Sequence, residues 1–160
     1  MNDVQIDIHK KIDDLEIALS QFAPGKSKVR HTFLHGMYIR EITMPKDELI
    51  ISMVHNTEHP FYVSKGIVEV RNALDDKPET IVAPYWGITK PGTRRVLFII
   101  EETVWKTIHP LEFITGKENR LSKEEKCKLV AKIENMILDK SHTNFSVLDC
   151  NRKGGLQCHS

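Results

Sequence analysis

The chain has 160 residues and a formal net charge of +1, with 23 lysines and arginines against 22 aspartates and glutamates. That length suits one domain with a core of its own. The balanced charge gives no ground for a nucleic-acid or membrane-surface partner, and no apolar run approaches the roughly 20 residues that cross a bilayer. The opening residues, Met1 to Lys10, are acidic and helix-patterned, unlike a signal peptide. Cys127, Cys150 and Cys158 are odd in number and confined to the last third, which argues against a disulfide framework and for a reducing cytoplasm. Cys150, Cys158 and His159 fit no zinc spacing.

Val4, Ile8, Ile12, Leu15 and Leu19 recur at steps of three and four, which predicts an amphipathic helix over about 4–20, ended at Ala23-Pro24-Gly25. Residues 1–28 form this N-terminal segment. From Val29 the texture changes to short apolar runs cut by turn signals: Met44-Pro45-Lys46-Asp47, Ser64-Lys65-Gly66, Leu74-Asp75-Asp76-Lys77-Pro78, Lys90-Pro91-Gly92 and Glu101-Glu102. This spacing predicts a mainly β, antiparallel jelly-roll or double-sheet barrel over 29–115. After His109-Pro110 helix signals return over 116–148. Ser122 and Glu125 have capping-box spacing, and Leu129, Val130, Ile133, Met136 and Ile137 form an apolar face. Residues 149–160 read as a tail. Two amphipathic helices outside a barrel each need cover, which predicts a homodimer.

The chemistry concentrates at His55 and His59. They stand four residues apart, one ending the run Leu49 to Val54 and the other opening Phe61-Tyr62-Val63. Two imidazoles at adjoining strand ends share one space. Folding Arg95–Ile100 against Val104–His109 about Glu101-Glu102-Thr103 brings His109 opposite Arg94 or Arg95. Alternation puts Trp105, Thr107 and His109 on one face, with Lys106 on the other, and puts His59, Phe61 and Val63 on one face. Three neutral imidazoles suit Zn, Fe, Ni or Cu and leave positions for water or substrate. By the same parity Glu58 faces out; a register slip would make it the ligand instead.

The stretch Met53 to Gly66 resembles the first motif of the cupins. His59 stands at the family's glutamate, His55 at its second histidine and Met53 at its first. Gly87 to Arg95 resembles a degraded second motif that keeps Pro91-Gly92 and lacks the histidine. Tyr38-Ile39-Arg40, the Pro-Gly-Thr-x-Arg turn at Pro91–Arg95 and the closing Trp105-x-Thr107-x-His109 are similar to small cupin-like proteins, many of them phage-encoded. The resemblance covers roughly Gly36 to His109. It implies a cupin-like jelly-roll; spacing and parity together make His55, His59 and His109 the expected ligand set for one divalent transition metal (Zn, Fe, Ni or Mn). A three-histidine site with iron looks like that of thiol dioxygenases; zinc or manganese points to proton transfer or isomerisation.

Tyr38 and Arg40 line the pocket mouth or face outward, and Arg94 and Arg95 hold an anionic ligand or form a solvated turn, the turn being favoured. Small-molecule ligand contacts are therefore expected from Tyr38, Arg40 and Arg95. Tyr85 and Trp86 read as core or interface aromatics. His9, His31, His35, His142 and His159 read as surface or structural. No side chain stands out as a general base, and Tyr38 is the nearest to one. Two functions stay open: a metal-dependent dioxygenase or isomerase, or a non-catalytic module that captures a small ligand or a host protein with a structural metal or none.

Overall fold

The computed structural model describes residues 3–22, 25–73, 75–111 and 120–139. Ala23-Pro24, Leu74, His142, His159, Cys150, Cys158 and the tail 149–160 lie outside the described residues. Within them the fold is mainly β, with helix α1 (Asp3–Leu19) before the strands and α2 (Lys123–Ile137) after most of them.

The strands are β1 (Lys28–Leu34), β2 (Met37–Met44), β3 (Leu49–Ile51), β4 (Val54–His55), β5 (His59–Asn72), β6 (Asp75–Val82), β7 (Tyr85–Thr89), β8 (Arg95–Pro110) and β9 (Leu138–Asp139). Every pairing among them is antiparallel. Long β5 and β8 each serve two layers. Their outer halves pair with β2 and β7, and their other halves with β3 and β6. Seven strands form one continuous sheet that the shared strands fold into the two layers of a jelly-roll, β1-β2-β8-β5-β7 and β3-β8-β5-β6, and β4 and β9 form a separate two-stranded sheet. Ile42, Met44, Phe61, Val63, Val68, Val70, Leu97, Ile99 and Trp105 fill the space between.

Two expected turns are absent. Ser64-Lys65-Gly66 lies inside β5, and Glu101-Glu102-Thr103 lies inside β8. The buried side of β5 switches from His59, Phe61 and Val63 to Val68 and Val70. That parity change needs an extra residue, and the β5–β8 register shifts at Val63/Lys65, Lys65/Ile67 and Ile67/Val68. Gly66, at φ 94°, supplies the bend. A Cβ there would run into the Glu102 carbonyl and Thr103. Turn-like residues thus bend two strands at the corner without ending either. The hairpin that was to place His109 across from Arg94 or Arg95 does not exist: these residues sit at opposite ends of β8, and His109 faces Tyr38 on β2.

Both helices are covered by the barrel. Ile8, Ile12, Leu15 and Leu19 pack on Ile51, Ala73 and Val96. Val130, Ile133 and Ile137 pack with Tyr38 and Leu111, while Met136, expected on that face, is 54% exposed. The stripes that motivated a homodimer therefore have cover within one chain. The capping box forms as expected: Glu125 N donates to Ser122 Oγ at 3.2 Å, and Ser122 N to Glu125 Oε2 at 2.7 Å.

Arg94 corrects the solvated-turn expectation. It is fully buried, pairs with Asp13, and donates from Nη2 to Glu16 Oε2 at 2.8 Å, fastening α1 to the barrel. No described helix is long and apolar enough to cross a membrane.

Candidate functional site

His55 is held by its backbone from two sides. Its N–H donates to the Thr93 carbonyl at 3.1 Å, and its carbonyl accepts from Gly92 N at 2.8 Å. Thus the Pro91-Gly92 turn positions the histidine 36 residues before it in sequence. On its other side β4 pairs with β9, Val54 opposite Asp139 and His55 opposite Leu138, and Asn56 N donates to the Ile137 carbonyl at 2.8 Å. β9 was not legible in the sequence, because two residues carry no periodicity.

His59 opens β5 with its ring inward. Its Nδ1 lies 2.9 Å from the Thr57 carbonyl. A carbonyl only accepts, so Nδ1 carries the proton and Nε2 of the neutral ring presents a lone pair. His109 follows Trp105 and Thr107 inward, as alternation requires. The ring centroids of His55 and His59 are 4.7 Å apart, and those of His59 and His109 are 4.2 Å apart. The structure therefore brings the three predicted histidines together, around His59.

All three are buried. Loss of solvent pushes the His55 pKa well below 6.5, helped by His59 and Arg95. Desolvation, then His59 and Arg40, takes His109 down to about 3. Desolvation also lowers His59, against the hydrogen bond to Thr57. The rings are neutral at physiological pH. Two of their nitrogens, His55 Nδ1 and His59 Nε2, are buried with no hydrogen-bond partner. His109 Nε2 lies 3.1 Å from Thr107 Oγ1. The rings stand tilted against one another, by 50° and 41°. Among the described residues no group of three or more His, Cys, Asp or Glu side chains is set out to hold a metal ion. Glu58 is exposed, as parity predicts.

Tyr38 is fully buried, not at a pocket mouth. Its hydroxyl lies 2.7 Å from His31 Nδ1, and its ring centroid 5.9 Å from that of His109. His31 is thus a buried structural partner. His9 is likewise buried. Arg40 points in beside Thr107 and donates from Nε to Glu134 Oε1 of α2 at 3.2 Å.

Arg95 is 8% exposed, which overturns the favoured turn reading for it too. Its Nη2 donates to Thr89 Oγ1 at 3.1 Å, and its guanidinium sits 5.1 Å over the Phe61 ring and 5.6 Å over Trp105. The signal for its burial was available: Arg95, Leu97 and Ile99 share one parity. Trp86 is 62% exposed and stacks on Tyr62 at 4.3 Å, so it belongs to the outer sheet face.

No family model and no curated protein matches the chain. Solved structures do. A Vibrio parahaemolyticus protein of unknown function matches with a TM-score of 0.48 at 14% identity, covering 54% of this chain and 90% of that one. A cupin-2 domain protein from Shewanella frigidimarina matches at 0.43 and 15% identity, over 60% of this chain and 91% of its own. An acetylacetone dioxygenase from Acinetobacter johnsonii matches at 0.44 and 17% identity, over 54% of this chain and 60% of that one. At these values the likenesses carry no argument about activity, and the functional reading rests on the residues of this chain.

Proposed function

We propose that this protein is a metal-binding cupin-like protein, in which His55, His59 and His109 hold one divalent transition metal and Arg95 and Arg40 face the space for a small-molecule ligand. The observation that carries the reading is the pair of buried, partnerless nitrogens, His55 Nδ1 and His59 Nε2, on adjoining neutral rings. A buried polar atom without a partner is costly, and a metal ion is a partner that neutral imidazole takes readily. The all-imidazole donor chemistry fits Zn, Fe, Ni or Cu, and fits Mn, which prefers oxygen ligands, less well. The arrangement fits less fully: the rings lie against each other, and Arg95 and Arg40 oppose a cation beside them.

A metal bound there supplies Lewis acidity or, with iron, redox chemistry, which is the dioxygenase or isomerase version of the reading. The rest belongs to the chain. Arg95 and Arg40 set a positive field that draws an anionic ligand. The Thr57 carbonyl holds the His59 tautomer. The Tyr38 hydroxyl is engaged with His31, which removes it as a free general base. The same positive field favours the second reading, a non-catalytic module that binds an anionic small molecule without a metal.

Titration of chelator-stripped protein with Zn(II) separates the two. The wild type should take up one equivalent, and the His55→Ala/His59→Ala double variant should lose affinity by ~100-fold or more. His35→Asn, at an exposed turn histidine, should bind as the wild type. A wild type without affinity for zinc, iron, nickel or manganese, or a double variant that keeps it, overturns the metal reading.

A further inference from the structure

We propose that the cavity behind Arg95 is a binding site for a small monocarboxylic acid with a compact apolar body, its carboxylate on the Arg95 guanidinium. The inference extends the ligand-binding half of the proposed function and does not need the metal.

Arg94 and Arg95 are consecutive, and both are buried. Arg94 has two carboxylates, Asp13 and Glu16. Arg95 has no carboxylate in contact: among the described residues its side chain makes one hydrogen bond, to Thr89 Oγ1, and no ion pair, and exposed Glu79 acts on it only through space. A guanidinium offers five N–H donors, and a buried charge without a counter-ion is unfavourable. Burial pulls the Arg95 pKa from 12.5 to about 10, so the group stays charged at neutral pH.

Open space lies beside it. Arg95 lines a cavity of about 180 Å³ together with Phe61, Ile81, Tyr85 and Gly87, with exposed Glu79 and Lys77 among the other lining residues. Glu79 accepts from the Tyr85 hydroxyl at 3.3 Å and acts on Arg95 through space, but Arg95 and Lys77 together outnumber this one carboxylate among the lining residues. The volume falls below the roughly 300–1,000 Å³ of drug-sized sites, which limits the ligand to a small molecule. The wall is aromatic: Phe61 stacks on Trp105 at 4.4 Å and 13°, and on Tyr85 at 6.0 Å and 30°. Gly87 makes this wall possible, since a Cβ there would overlap the Phe61 ring. An acid head and an apolar body are the two features this cavity can recognise.

The test uses full-chain, chelator-stripped protein and calorimetric titration with benzoate and butyrate, each against its neutral amide. At least one acid should bind saturably at one site, and its amide at least about ten-fold more weakly, as expected for loss of a charged hydrogen-bonding partner. Arg95→Gln should weaken the acid by at least about ten-fold and leave the amide unchanged. A failed metal titration of the wild type together with intact acid binding by the same chelator-stripped protein removes only the metal. No saturable binding of either acid, equal binding of acid and amide, or full affinity in Arg95→Gln overturns the proposal. Should Arg95→Gln fail to fold by circular dichroism, the acid-against-amide comparison on the wild type decides alone.

Discussion

Arg94→Ala should lower the unfolding free energy by about 3–5 kcal/mol, the range for breaking a buried ion pair from one side. The side chain is fully buried, and so is its partner Glu16, at 5% exposure; Asp13, at 32%, is better solvated and adds less. Burial already raises the Glu16 pKa, and Arg94 is the main group pulling it back. Without that cation Glu16 must either ionise alone inside the α1–barrel contact or take up a proton. The chief loss therefore falls on the docking of α1, where Ile12 packs on Ile51 and Ala73. Replacing Arg94 with its buried partner, as Arg94→Met with Glu16→Leu, should cost far less than Arg94→Ala alone, because only the better-solvated Asp13 is left without its cation. Urea denaturation of the three proteins checks this. A loss below about 1 kcal/mol for Arg94→Ala, the range of exposed pairs, would contradict it.

Acid should destabilise the metal-free protein strongly and early. His55, His59 and His109 all have folded pKa values below 6.5. Below pH 6.5 the unfolded chain binds protons that the folded chain refuses, so stability falls with pH until the folded values are reached. Above 6.5 these groups are neutral in both states and add no slope. For His109 the window runs from 6.5 down to about 3. At 1.36 kcal/mol per unit this one residue accounts for a loss on the order of 5 kcal/mol across the window. Denaturation midpoints of chelator-stripped protein between pH 7.5 and 4.5 should therefore fall, and His109→Gln should flatten the slope by about one proton. Equal slopes for wild type and variant would show that His109 charges as readily in the folded state as in the unfolded one.

Much of the site was legible because alternation along strands is a strong constraint. Lys106 had to face out, which sent Trp105, Thr107 and His109 in, and the same rule set His59 with Phe61 and Val63. Arg95 obeys the same rule, since Leu97 and Ile99 share its parity, whereas its charge and its place just after Pro91-Gly92 point to a solvated turn. Turn chemistry misled at Ser64-Lys65-Gly66 and Glu101-Glu102-Thr103. These segments face each other in space, and Lys65 Nζ donates to Glu102 Oε1 at 2.6 Å across them. A glycine and two adjacent glutamates suit a sharp bend as well as a turn, and sequence alone does not separate a strand that ends from one that kinks. The N–H and C=O of His55 are held by Gly92 and Thr93, and its strand by Leu138 and Asp139, all contacts distant in sequence. No local pattern records such contacts.

The most direct test of the metal reading is anomalous diffraction at the zinc edge from crystals of the chelator-stripped protein soaked in Zn(II). The account predicts one peak in the barrel, with imidazole nitrogens of His55, His59 and His109 about 2.0–2.1 Å from it. A peak only at surface histidines, or no peak with His109 still against Thr107, would contradict it.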